Sequence, residues 1–179
     1  ASAEAANSAA QAVFNRALAG DESAIEPAAA QFRALMAADP GQPAFRAQAG
    51  SATCLLATTT LLPWKKISHV EDGLALLDKA LAQLTPAHDL QRLNGVPVGL
   101  LVRFNAAGSF GALPARFNRG ERGERLLAEA LAHPLLADTP LPFRAAVWLR
   151  AGEQAASAQR RDEARQWLQR VAVSGVPQA

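Results

Sequence analysis

The chain has one cysteine, Cys54, and no tyrosine. A lone cysteine excludes an internal disulfide and leaves the redox compartment open. No run of 18 apolar residues occurs, so no membrane span is expected. The longest apolar stretch, around Leu55 to Leu62, is short and is broken by three threonines. Valine and isoleucine are few and strict alternation of polar and apolar residues is nowhere sustained, so no strand is expected. The three histidines, His69, His88 and His133, are scattered, with neither a His-x3-His pair nor a cysteine pair, so no metal site is expected. Neither sign of charge dominates: the formal net charge is +2, and the isoelectric point near 9.2 reflects a basic set rich in arginine. Nucleic-acid binding calls for an uninterrupted basic stripe with stacking aromatics, and none is present.

What remains is abundant alanine in a chain that is half apolar. Alanine has the highest helix propensity and lets helices pack closely. At 179 residues the chain (1–179) fits a single domain with a sizeable core. Apolar spacing of 3.6 residues predicts eight helical segments: Ala3 to Leu18, Ser23 to Ala38, Pro43 to about Thr58, His69 to Leu84, Val98 to Ala107, Gly120 to Ala132, Pro142 to Ala158 and Asp162 to Val173. Asp39-Pro40-Gly41 stops the second, Pro43 suits a first helical turn, and Pro63 is read as a break before the fourth. Short Pro and Gly links make neighbouring helices antiparallel.

One signature occurs twice. Gly-x2-Leu-Leu-x2-Ala-Leu-Ala runs from Gly73 to Ala82 and again from Gly123 to Ala132. Self-similarity at a fixed period marks a repeat architecture. An aromatic or long residue, then Ala, then Gly recurs ahead of it at Arg46-x2-Ala49-Gly50, Phe104-x2-Ala107-Gly108 and Trp148-x2-Ala151-Gly152. With Ala164-x3-Leu168, residues 145 to 178 resemble one tetratricopeptide repeat, whose pattern places Trp, Gly, Ala and Phe at these spacings. Ala155 stands at the family's Tyr position and Pro177 falls one position late. The resemblance implies an all-α fold, a right-handed solenoid of about four helical hairpins. Small residues would allow close approach within a hairpin, and large ones such as Trp148, Phe104, Leu168, Leu127 and Leu77 would fill the space between hairpins.

Spacing then singles out two turns. Gly152 to Ala164 spans 12 residues, Gly108 to Gly123 spans 15, and Gly50 to Gly73 spans 23. The extra residues are read as lying in the turns of the second and third hairpins. Each turn has Leu-Pro followed by basic and large residues. Trp64, Lys65, Lys66 and nearby His69 belong to one; Arg116, Phe117 and Arg119 belong to the other. Tryptophan and arginine are favoured at interaction hot spots. Two readings of these turns stay open: Trp64 and Phe117 contact a partner, or they fold back to plug the gap. The resemblance also implies a peptide groove along the first helices, which would present Gln48, Ser51, Asn105, Ser109, Arg150 and Glu153.

Catalytic motifs are weak. Gly108-Ser109-Phe110-Gly111 lacks the leading glycine and the strand of a nucleophile elbow. Cys54 sits beside Leu55 and Leu56 as a small hydrophobe would. His133 before Pro134 is read as a cation at a helix C-terminus. The expectation is therefore a non-catalytic protein-binding, scaffolding or assembly module with a protein or peptide partner and no cofactor. The alternative is a small-molecule or anion binder using the turns at Trp64 and Arg116. The start, Ala1-Ser2-Ala3-Glu4 without Met, is what signal-peptide cleavage would leave. It points to a periplasmic or secreted protein, in a bacterial cell envelope, with a cytoplasmic location as the alternative.

Overall fold

A computed structural model describes residues 2–177. Ala1, on which the export expectation rests, lies outside them, as does Gln178 at the end of the last repeat-like stretch. The described residues are mainly helical, with eight α-helices: α1 (Ala3–Leu18), α2 (Ile25–Ala38), α3 (Pro43–Leu55), α4 (Pro63–Gln83), α5 (Val98–Ala112), α6 (Gly120–Ala132), α7 (Leu141–Ser157) and α8 (Arg161–Ser174). Local chemistry sets several ends. The Ser2 hydroxyl accepts the Ala5 N–H at the start of α1, and the Gln42 side chain accepts the Ala44 N–H ahead of Pro43 in α3. Gly175, in the left-handed region, closes α8.

Successive helices pack together: α1 on α2, α3 on α4, α5 on α6 and α7 on α8. Contacts of α2 with α3 and of α3 with α5 join the first three pairs, and smaller contacts of α7 with α5 and α6 attach the fourth. The largest core cluster includes Phe45, Leu77, Leu100, Phe110, Leu127 and Val147. A second holds Phe14 and Phe32 edge to face, with ring centroids 5.9 Å apart. The repeated glycines sit at helix crossings. A Cβ on Gly50 would come within 2.9 Å of the Gly73 carbonyl, and one on Gly152 within 2.9 Å of Leu168 Cδ2. Gly108 differs from the expectation: it lies under the Arg150 guanidinium of α7 rather than against its own hairpin partner. Leu77 and Leu127 are buried as expected, but Leu168, although it packs against Gly152 of α7, stays 42% exposed.

Three local expectations need correction. Pro63 does not break the chain; it begins α4, which starts six residues before His69. Proline fits there because a first-turn N–H has no intrahelical acceptor to lose. The segment Trp64 to Ile67 is therefore helix, and only a 3-10 turn (Leu56–Thr59) and Thr60 to Leu62 remain between α3 and α4. Helix α5 also runs on to Ala112 rather than stopping near Ala107. Finally, a two-stranded antiparallel ladder does exist, β1 (Arg92–Leu93) with β2 (Val96–Pro97). Asn94 and Gly95 turn it with φ of 51° and 82°, the backbone a two-residue hairpin requires. Asn-Gly between apolar residues is the signal for it. Among the described residues, no helix is long and apolar enough to cross a membrane.

Candidate functional site

The structure separates the two turns. Trp64 stands 66% exposed at the start of α4, and Leu61 just before it is 91% exposed. Trp64 therefore does not plug a gap. Lys65 is exposed beside it, while the Lys66 ammonium donates to the Ala57 carbonyl at 3.0 Å and staples α4 to the 3-10 turn. His69 is half-buried five residues past Trp64, about 140° around the helix, so the two do not share a face.

The second turn sits elsewhere along α4. Arg119 donates through both terminal nitrogens to Asp78, at 2.7 and 2.9 Å, and Arg122 adds a contact of 3.2 Å. Asp78 lies fourteen residues after Trp64, about 21 Å along the helix at ~1.5 Å per residue. Trp64 and Arg119 thus belong to different regions. The Arg119 and Arg122 guanidiniums lie 5.1 and 5.5 Å from the centroid of the buried Phe110 ring, which anchors α6 on α5. Phe117 is half-buried and packs against the main core, and Arg116 rests over its ring at 5.3 Å. Of the two large residues in the turns, Phe117 packs and Trp64 does not. Asp78 was not legible as the partner of Arg119: the two are 41 residues apart and no local pattern pairs them.

A third arrangement joins α1, α3 and α5. Gln48 of α3 donates to Asn7 of α1 at 2.8 Å, and Asn7 donates to Asn94 of the β turn at 2.7 Å. Ser109 of α5 donates to Ser51 of α3 at 2.8 Å, and Ser51 donates to the Asn105 carbonyl at 3.3 Å. Gln48 and Ser51 are buried, so they tie helices together rather than face a groove. Toward α7 the polar line reaches the surface. Ser109 is half-buried, Arg150 lies across Gly108, and Arg150 pairs with exposed Glu153 at 3.2 Å. The surface shared by α5 and α7 is therefore narrower than the expected groove: it holds Ser109, Arg150 and Glu153.

Asn105 lies beside this surface with a sealed side-chain Nδ2 that has no hydrogen-bond partner. A buried donor left unpaired costs about 1–3 kcal/mol. Asn105→Leu, similar in size, should therefore leave stability unchanged or raise it by about 1 kcal/mol in chemical denaturation. A loss of more than 1 kcal/mol would show that the amide is engaged after all.

Other reactive groups are committed or inert. Burial pushes the Cys54 thiol up to about 11, which leaves little thiolate at neutral pH. His133 does not act as the cationic cap expected from sequence. Its Nδ1 accepts the Leu135 N–H at 3.1 Å, so Nε2 is the donor toward Asp89 at 3.3 Å. Asp89 also meets Arg103, which lies 3.6 Å from Glu129, and these four side chains line a shallow cleft between α5 and the end of α6. Arg103, the cation of the four, already faces two carboxylates, the arrangement of a tie between α5, α6 and the link before β1. Among the described residues, no group of three or more His, Cys, Asp or Glu is placed to hold a metal ion.

Comparison with known proteins adds no family: no family model, curated protein or solved structure matches the chain.

Proposed function

We propose that the chain is a non-catalytic protein-binding or assembly module, with four tetratricopeptide-like hairpins stacked as a short right-handed solenoid. The order of helix contacts supports this stacking: each helix packs on its successor, α2 and α3 carry the contact through the first three pairs, and α5 and α6 meet α7 of the fourth. The observation that carries the functional reading is the Arg150–Glu153 pair laid across Gly108 beside Ser109. It offers a guanidinium, a carboxylate and a hydroxyl on one surface of two neighbouring first helices. Such groups recognise the backbone and charged ends of an extended peptide. The alternative, an anion or small-molecule site built from both turns, has less support. Its cations lie in separate regions, and Arg119 is already matched by Asp78.

The test is retention of a partner by tagged protein in the native source. Wild type should return a stoichiometric protein that Arg150→Ala plus Glu153→Ala loses, while Trp64→Ala keeps it. Full retention by the double variant, folded by circular dichroism, would overturn the assignment.

A further inference from the structure

The apex before α4 is the most exposed apolar feature of the described chain. Leu61 is 91% exposed, Trp64 66%, Leu62 38% and Ile67 37%. They are near neighbours in sequence, and the segment that carries them is held in place. The Thr58 and Thr59 hydroxyls donate back to the carbonyls of Leu55 and Leu56 at 2.7 and 2.6 Å. The Thr60 hydroxyl accepts the Leu62 N–H at 3.2 Å. Lys66 fastens the helix start to the Ala57 carbonyl. Helices α3 and α4 cross at Gly50 and Gly73, and beyond that crossing the 3-10 turn (Leu56–Thr59) follows α3 and packs alongside the start of α4.

Within the apex segment the charge has one sign: Lys65 and Lys66 adjoin Trp64, and the positive end of the α4 dipole points the same way. Exposed Asp21, Glu22 and Glu26 belong to the neighbouring α1–α2 link, whose Ala24 and Ile25 pack against Leu55 and Leu56 at the base of the segment. No aspartate or glutamate occurs between Asp39 and Glu71. The exposed area of the four apolar side chains is on the order of 500 Å², at the upper end for a monomer's largest patch. A stable protein pair buries about 800 Å² on each side, more than these four side chains expose.

We propose that this apex seats in the interface of an anionic lipid bilayer. Leu61, Leu62, Trp64 and Ile67 would enter the headgroup–acyl boundary, and Lys65 and Lys66 would remain among the headgroups. Tryptophan is enriched at that depth, and a short apolar wedge with adjacent cations binds by apolar burial plus attraction to anionic lipid. This is surface seating, without a membrane span. It is independent of the peptide-binding surface at Arg150, which lies on another helix.

The experiment is co-sedimentation of the full chain with vesicles of phosphatidylcholine and phosphatidylglycerol mixed two to one. Binding should be clear, at least tenfold weaker on pure phosphatidylcholine, and reduced by high salt. Leu61→Ser plus Trp64→Ser should weaken it at least tenfold with an unchanged circular dichroism spectrum. Lys65→Glu, which keeps the apolar tip, should weaken binding only to the anionic vesicles. Absence of sedimentation with the mixed vesicles would overturn the proposal, as would equal binding by the double-serine variant. A wild-type dimer in size-exclusion chromatography that the double-serine variant makes monomeric would also overturn it, by assigning the apex to a second copy of the chain.

Discussion

Phe110→Ala should lower the unfolding free energy by about 3–5 kcal/mol, the range for a buried phenylalanine emptied to alanine. The ring is fully buried between α5 and α6 within the largest core cluster. It also carries the Arg119 and Arg122 guanidiniums on its surface, and both of these reach Asp78 of α4. Removing the ring thus leaves a cavity and takes the support from under a three-residue ion network that links α6 to α4. A urea titration followed by circular dichroism should show a lower midpoint with an unchanged slope. Loss of less than 1 kcal/mol would mean that the pairs collapse freely and that the ring does not anchor them.

Gly73→Ala should destabilise by about 1–3 kcal/mol, although alanine normally favours a helix over glycine by about 1 kcal/mol. The added Cβ would stand 2.8 Å from the Gly50 carbonyl oxygen and 2.9 Å from the Cys54 backbone nitrogen, and would also meet Cys54 Sγ. Two of these neighbours are backbone, so α3 and α4 would have to separate. Gly111→Ala supplies the control, because a Cβ there meets nothing within 4 Å. That change should stabilise by about 0.5–1 kcal/mol. Opposite signs for the two substitutions are the expected result in thermal or urea denaturation. The same sign for both would mean that the close crossing does not constrain the fold.

Much of the helical pattern could be read from the residues. The stripe Ile25, Ala28 and Phe32 is buried, with Leu35 and Met36 half-buried at its end, Leu77 and Leu127 are buried, and the glycines at 50, 73, 123 and 152 mark close contacts. The reading failed where one residue type has two structural uses. Proline both stops helices and starts them, and Pro63 starts one. That difference turned an expected loop into nearly two extra turns of α4 and set Trp64 about 21 Å along the helix from Asp78, the partner of Arg119. The β turn was missed because Asn94-Gly95 is flanked by only two residues on each side, too few to show alternation. The candidate surface was less legible than the fold. Gln48, Ser51, Ser109 and Arg150 fall at first-helix positions, but which of them meet solvent depends on the neighbours that pack there. Asn7 claims Gln48, and Ser51 bridges to α5, through contacts 41 and 58 residues apart in sequence.

The binding reading rests on the surface that α5 and α7 share, and one measurement addresses it directly. A benzophenone side chain is placed at exposed Ala112, one turn past Ser109 on α5, and, in a second protein, at exposed Glu124 on α6, and each is irradiated in the native source. A discrete protein adduct is expected from position 112 and none from position 124. Adducts from position 124 with none from position 112 would contradict this and move the partner to the α6 side.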